Sequence, residues 1–98
     1  WVTPTASHDL AAQVLALVEA GARGTFHTAG AERLSRLEMA QRIATHDGLD
    51  ASLIEPIAMS DLPWIAPRPR DSSLDTSKIA RLAAPLRFDE ALETRGPL

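Results

Sequence analysis

The chain has 98 residues, a net charge of −3 and a hydrophobic fraction of 45%. Its length suits one small domain or a piece of a larger one, its mixed charge offers no basic surface for general nucleic-acid binding, and no apolar run is long enough to span a bilayer. The absence of cysteine excludes disulfides and thiolate metal sites and predicts a reducing, cytoplasmic environment.

The first half of the chain predicts a helix and a strand. A helix is expected over 9–20, with Ser7 as its N-cap and Asp9 complementing the positive end of the helix dipole. The segment 25–29 is short, rich in β-forming residues and bounded by glycines, which is typical of a strand in a parallel sheet. The apolar stripe of the helix is expected to face the core, and it consists of Leu10, Val14, Leu17 and Val18, with Ala11 and Leu15 beside it.

A second helix is predicted over 35–47, with strong local signals at its start. Ser35 and Glu38 have the spacing of a capping box, and Leu34 and Met39 can close a hydrophobic staple around it. The expected buried face consists of Leu37, Ala40, Ile43 and Ala44.

The second half is expected to be less regular. Residues 54–60 are predicted to be extended, and 63–71, with three prolines in seven residues, to be stiff and irregular. Asp75 or Thr76 is expected to cap a short helix that ends near Leu82. A last amphipathic turn or two carries Phe88, Ala91 and Leu92.

The loop over 63–71 holds the best candidates for ligand binding. Arg68 and Arg70 lie on a backbone stiffened by proline, and guanidinium groups suit the bidentate recognition of phosphate. Trp64 is placed to stack on a ligand or to line a pocket. A second interpretation stays open, in which the loop is solvated and its arginines pair with Asp61, Asp71 or Asp75.

Other chemistry is not indicated. His8, His27 and His46 share no metal-ligand spacing, and the neighbours Ser7, His8 and Asp9 cannot point at one another as a catalytic triad requires. The glycines match neither a phosphate-binding loop nor a dinucleotide fingerprint. We therefore predict no metal site, no catalytic residue and no cofactor-binding residue in this chain.

Taken in order, these segments resemble the C-terminal third of extended short-chain dehydrogenases, in particular the dTDP-4-dehydrorhamnose reductases and related sugar-nucleotide-binding proteins. Each motif alone is weak, whereas the ordered set is specific and covers nearly the whole chain. The matching residues are Pro4-Thr5 with Asp9-Leu10-Ala11, Gly24-Thr25-Phe26-His27-Thr28-Ala29-Gly30, Glu32-Arg33-Leu34-Ser35 with Glu38, Ala40 and Ile43-Ala44, and Arg68-Pro69-Arg70-Asp71-Ser72-Ser73-Leu74-Asp75-Thr76-Ser77-Lys78.

The resemblance implies an α/β fold in which residues 1–98 are one partial domain. They would be the mostly helical C-terminal portion of a Rossmann-like NAD(P)-binding fold, with a late parallel strand at 25–29 and the substrate-side helical subdomain. Arg68 matches the family arginine that faces the diphosphate of a nucleotide-sugar, and Asp71 matches a polar residue that meets the ribose. Because the chain opens on Trp1 and contains no Tyr, we expect a cut or processed chain that is not catalytic alone.

The partners implied are a nucleotide-sugar substrate and the N-terminal Rossmann half of the same protein, which would bind NADPH or NADH and supply the catalytic Tyr. A homodimer stays open, and neither a nucleic acid nor a membrane is expected. Two other interpretations remain: a non-catalytic binding subunit of the same fold, such as the regulatory subunit of methionine adenosyltransferase, and a stand-alone helical interaction module. Residues encoded upstream of Trp1 would separate the three.

Overall fold

The computed structural model describes residues 1–95 and contains three α-helices within them. They are α1 (Ser7–Glu19), α2 (Arg36–Asp47) and α3 (Phe88–Arg95). Single 3₁₀ turns lie at Ala51–Leu53, Met59–Asp61 and Ile79–Arg81. No helix of residues 1–95 combines the length and the apolar character needed to cross a membrane.

Helix α1 confirms the first predicted helix, but its N-cap differs from the prediction. The N-cap is Ala6, in extended conformation and without a side-chain bond, and Ser7 is already the first helical residue. The helix ends in a left-handed glycine: Gly21 has φ 61°, and its amide donates to the carbonyl of Val18 at 3.1 Å. This is the usual way for a helix C-terminus to satisfy its last carbonyls.

Helix α1 turns a polar face inward, and of the predicted core stripe only Leu17 is half-buried. Asp9 and Gln13 are buried. Asp9 Oδ2 accepts from the Leu86 amide at 3.1 Å, and Gln13 Nε2 donates to the Ala29 carbonyl at 2.9 Å. Asp9 and the Gln13 amide nitrogen thus have the partners that buried polar groups need, whereas Gln13 Oε1 is buried without a hydrogen-bond partner among the described residues. The other members of the predicted stripe face outward, with exposed fractions of 40%, 47% and 71% for Leu10, Val14 and Val18, and Leu15 beside them is 57% exposed.

The strand predicted at 25–29 is not formed. Exposure still alternates along the segment, with Thr25 and His27 exposed and Phe26 and Thr28 half-buried, as in an extended chain. However, residues 1–95 contain no strand to pair with it, and a β-ladder needs a neighbour. Two carbonyls of the segment accept hydrogen bonds from side chains instead. Lys78 Nζ donates to the Thr25 carbonyl at 2.8 Å, and Gln13 Nε2 donates to the Ala29 carbonyl.

Helix α2 confirms its predicted signals. Ser35 Oγ accepts from the Glu38 amide at 3.1 Å, and Glu38 Oε1 accepts from the Ser35 amide at 3.4 Å, so the capping box is complete. Of its predicted inner face, Ala44 is buried, and Leu37, Ala40 and Ile43 are half-buried. The staple residues lie together in the core, which joins α2 to α3 and consists of Leu34, Phe88 and Leu92 with Met39 and Ile43 packed against them.

The C-terminal half confirms the irregular loop at 63–71 and the final helix. The segment predicted as extended, 54–60, ends in the turn Met59–Asp61. The helix predicted to run to Leu82 is reduced to the single turn Ile79–Arg81. Asp75 still makes a capping-type bond ahead of this turn, because its carboxylate accepts from the Ser77 amide at 2.9 Å.

The described core is small for a chain of this size. The chain exposes 7137 Å², whereas a compact monomer of 10.6 kDa exposes about 5,500 Å². Its radius of gyration of 15.7 Å likewise exceeds the value of about 12.6 Å for a compact domain of 98 residues. Much apolar surface, including the stripe on α1, is therefore left for something else to cover.

Glu32 links the two helices of the core through its carboxylate. Its oxygens accept from the Phe88 amide at 3.0 Å, from Arg42 Nη1 at 2.9 Å and from Arg87 Nη2 at 3.2 Å. Burial by itself raises the pKa of Glu32, but the hydrogen bonds from Arg42 and Phe88 outweigh it and hold the pKa below the usual value of 4.5. A carboxylate with a lowered pKa in the folded state stabilises the fold while it is ionised.

Replacing Glu32 with glutamine is expected to lower the free energy of unfolding by about 1 kcal/mol at pH 7, since charge-assisted hydrogen bonds are lost. The contribution is complete above the unfolded-state pKa and disappears as the pH falls through the lower folded-state pKa. The difference between wild type and Glu32→Gln should therefore shrink as the pH falls below the usual glutamate pKa of 4.5. Urea unfolding across this range measures it, with Glu55→Gln, at an exposed position, as the control. A difference that is independent of pH would contradict the assignment.

Candidate functional site

The loop over 63–71 lies entirely on the surface, and its contacts centre on the indole ring of Trp64. Trp64 Nε1 donates to the carbonyl of Met59 at 2.8 Å, which anchors the indole, yet 46% of the residue stays exposed. The guanidinium carbon of Arg68 lies 5.3 Å from the centroid of that ring. This is cation–π distance, and it limits the directions that the Arg68 side chain can take.

The two loop arginines have no carboxylate partner among residues 1–95. Of the acids that could neutralise them, Asp61 accepts from the Ala58 amide, Asp75 from the Ser77 amide, and Asp71 binds a different arginine. The loop is solvated, as in the second interpretation, but the expected ion pairs of Arg68 and Arg70 with these acids do not form among residues 1–95. The loop presents two positive charges to solvent.

Asp71 binds Arg33, which the sequence did not single out as functional. Arg33 Nε and Nη2 lie 3.1 and 2.8 Å from Asp71 Oδ2, and Oδ1 accepts from the Ser73 amide at 3.0 Å. The hydrogen bonds from Arg33 and Ser73 hold the pKa of Asp71 well below its usual range. Both carboxylate oxygens thus have partners inside the chain, so Asp71 serves first to shape the end of the loop.

Trp1 is the second residue that sequence reasoning missed at this site. The Arg33 guanidinium carbon lies 4.2 Å from the centroid of its ring. The Trp1 carbonyl accepts from the Ser72 amide at 2.9 Å. The sequence alone could not indicate the contact between Arg33 and Asp71, because the two residues are 38 positions apart and no local motif spans such a distance.

The histidines are spread over the fold. His8 Nε2 lies 2.9 Å from Thr94 Oγ1, His46 Nδ1 lies 2.9 Å from an Asp47 carboxylate oxygen, and His27 is exposed on the extended segment. Within the described part of the chain, no three histidine or acidic side chains converge as a metal site requires.

A dinucleotide cofactor does not fit the residues described. Such a site needs a glycine-rich turn between a parallel strand and a helix, which brings the backbone close to the pyrophosphate. Residues 1–95 form no strand, and the glycines with positive φ are Gly21, Gly24 and Gly48, of which Gly21 and Gly48 follow helix ends. The described residues therefore contain no dinucleotide-binding turn of this kind.

Residues 1–94 match the protein family described as the RmlD substrate binding domain. The chain belongs to this family. Membership confirms the sequence-based recognition and relates the chain to Rossmann-like NAD(P)-binding proteins and sugar-nucleotide reductases, although the described part contains no strand.

Three relatives show the range of the family. The chain is 38% identical to a probable low-salt glycan biosynthesis reductase, Agl14, of Haloferax volcanii over 80% of its own length and 26% of the relative. It is 34% identical to dTDP-4-dehydrorhamnose reductase of Mycobacterium tuberculosis, with the same coverage of 80% and 26%. It is 39% identical to methionine adenosyltransferase 2 subunit beta of Rattus norvegicus, over 67% and 20%. No solved structure matches the chain.

Proposed function

We propose that this chain is the substrate-side segment of an NAD(P)-dependent sugar-nucleotide reductase and that Arg68 binds the diphosphate of the nucleotide-sugar. The observation that carries the proposal is the pair of arginines without a carboxylate partner in residues 1–95, on a loop stiffened by three prolines. A diphosphate supplies the missing negative charge, and its oxygens match the planar donor fork of a guanidinium.

In this proposal the loop positions the substrate and carries out no chemistry itself. Arg68 is restrained by the Trp64 ring, so fewer side-chain conformations are lost when a phosphate binds. Arg70 adds a second charge, and the exposed part of Trp64 offers an apolar wall beside the diphosphate. Holding the substrate in one orientation and neutralising its charge assists a reaction that takes place at another part of the protein.

The rest of such a reductase would hold the cofactor, NADPH or NADH, and the catalytic tyrosine. Two features support a larger body packed against this chain, namely the excess exposed surface and the outward apolar stripe of α1. The chain also spans only 26% of the length of the two reductase relatives. The N-terminal Rossmann half of the same protein is thus the proposed partner, and a cytoplasmic location, predicted from the cysteine-free sequence, belongs to the same proposal.

Replacing Arg68 with alanine in the complete protein is expected to weaken nucleotide-sugar binding by roughly ten- to a hundredfold. A charge-assisted hydrogen bond is worth about 1.5–3 kcal/mol, and about 1.4 kcal/mol corresponds to one decade of affinity. Lysine at the same position should restore only part of the affinity, because an ammonium lacks the planar fork. Calorimetric titration with the nucleotide-sugar or with thymidine diphosphate measures the change.

The matched control for this experiment is Arg81→Ala, since Arg81 is equally exposed and lies outside the loop. It should bind as wild type does. If the folded Arg68→Ala variant also bound as tightly as wild type, Arg68 would be an ordinary surface cation and the site assignment would be wrong.

A second candidate function follows from one comparison. Methionine adenosyltransferase 2 subunit beta matches the chain at 39% identity, and its name is that of a subunit and not of a reductase. The complete protein would then use this fold to bind another protein without catalysis. Steady-state reduction of a 4-keto nucleotide-sugar by the complete protein with NADPH separates the two, because only the reductase turns it over.

A further inference from the structure

Arg33 lies outside the arginine loop in the sequence but joins it in space. Its backbone is held by the core, because its neighbour Leu34 is 2% exposed and forms an antiparallel bridge with Val2, with both hydrogen bonds at 2.8 Å. Its side chain leaves this anchored position, crosses the face of the Trp1 ring and reaches Asp71. Arg33 is therefore a rigid connection between the core and the end of the loop.

The contacts around Asp71 leave its segment little freedom. Next to Asp71, the Ser72 amide donates to the Trp1 carbonyl at 2.9 Å, and Thr3 Oγ1 accepts from the Leu74 amide at 3.3 Å. Arg33 adds two N–H groups directed at one oxygen of Asp71. The loop end at 70–74 thus lies along the first residues of the chain, while the part that carries Arg68 has no such support among the described residues.

The ion pair is too exposed to serve stability alone. The side chains of Arg33 and Asp71 are 48% and 44% exposed, and ion pairs at such exposure contribute little to the free energy of unfolding. The two donors of Arg33 and the Trp1 ring stacked on its guanidinium instead restrict the orientation of the Asp71 side chain. A restriction of this kind is expected to affect the affinity of the loop for a ligand more than the stability of the fold.

We propose that Arg33 is a positioning residue, which holds Asp71 across the Trp1 ring and thereby sets the direction in which the loop presents Arg68 and Arg70 to a nucleoside diphosphate. This inference rests on the proposed function of the loop. It assigns Arg33 no contact with the ligand, since its guanidinium is already engaged by the ring and the carboxylate.

The test is the dissociation constant of thymidine diphosphate measured on the complete protein. Arg33→Ala and Asp71→Asn are each expected to weaken binding roughly three- to tenfold, as is usual for members of one hydrogen-bonded network. The double variant should bind no more weakly than either single one, because both remove the same connection. Arg36→Ala, at a neighbouring exposed arginine, is the matched control and should bind as wild type does.

Coupling to Arg68 distinguishes positioning from a general loss of stability. Once the loop is no longer directed, Arg68→Ala should cost less affinity in the Arg33→Ala background than in wild type. Additive losses, together with a lower unfolding temperature, would mean that Arg33 is merely structural. Tight binding by Asp71→Asn combined with weak binding by Arg33→Ala would mean that Arg33 touches the ligand directly, which overturns the inference.

Failure of the proposed function gives a different pattern. If wild type does not bind thymidine diphosphate, or if Arg68→Ala binds as tightly as wild type, the loop is not the diphosphate site, and the positioning role is lost with it. If Arg68→Ala weakens binding while Arg33→Ala and Asp71→Asn do not, the loop is the site and only the role of Arg33 is wrong. Should Arg33→Ala fail to fold, Asp71→Asn carries the same test.

Discussion

Replacing Gly30 with alanine is expected to lower the free energy of unfolding by about 3 kcal/mol or more. A Cβ atom at Gly30 would overlap the carbonyl oxygen of Pro4 and lie 3.1 Å from its carbon. Both atoms belong to the backbone, so no flexible side chain can move aside. The shift would also disturb the bond from the buried Gly30 amide to Thr5 Oγ1, which is 3.0 Å long.

Urea unfolding of the purified protein measures this loss, with Gly48→Ala as the matched control. Gly48 has φ 69°, and a Cβ atom placed there would have no atom within 4 Å. Alanine at Gly48 is therefore expected to cost only the penalty of a left-handed backbone conformation, about 1 kcal/mol. Steric contact at Gly30 predicts a clearly larger effect than at Gly48. Equal effects at the two positions would show that the segments around Pro4 and Gly30 are not in close contact.

Introducing aspartate at Val14 is expected to lower the free energy of unfolding far more in the complete protein than in the isolated chain. Val14 is 47% exposed in the middle of the α1 stripe, so the isolated chain should change by no more than about 0.5 kcal/mol. In the complete protein the proposed Rossmann half covers this stripe. An unpaired charge buried there typically costs about 3–5 kcal/mol.

The free energy of unfolding in urea, measured for the isolated chain and for the complete protein with and without Val14→Asp, tests this prediction. Ala12→Asp is the control, because Ala12 is exposed and lies outside the stripe that contains Val14. A large loss for Val14→Asp in the complete protein alone supports a covered stripe. The same small change in both forms would show that the stripe stays in contact with water and that another surface faces the rest of the protein.

Helix α2 shows what could be predicted from the sequence. Its start depends on Ser35, Glu38 and the staple around them, and these residues interact over three to five positions. Because the interactions are local, they form with little regard to the rest of the fold. The irregular loop at 63–71 was predictable for the same reason, since proline restricts its own backbone and that of its neighbour.

The candidate site was predictable only in part. Residue chemistry pointed to Trp64 and Arg68, and the structure brings these two together. The pairing of Asp71 with Arg33 was not predictable, because the two residues are brought together by the path of the whole chain. Several acids near the arginines were equally plausible partners until their positions in space were known.

The sequence by itself therefore determined the family and the approximate positions of α1, α2 and α3, because these depend on local interactions and on the order of motifs. Only the tertiary structure decided that α1 turns Asp9 and Gln13 inward and its apolar stripe outward. An amphipathic pattern identifies an apolar face but not the body that covers it. The segment 25–29 likewise has the residues of a strand, yet a strand exists only where a second one lies beside it to share hydrogen bonds.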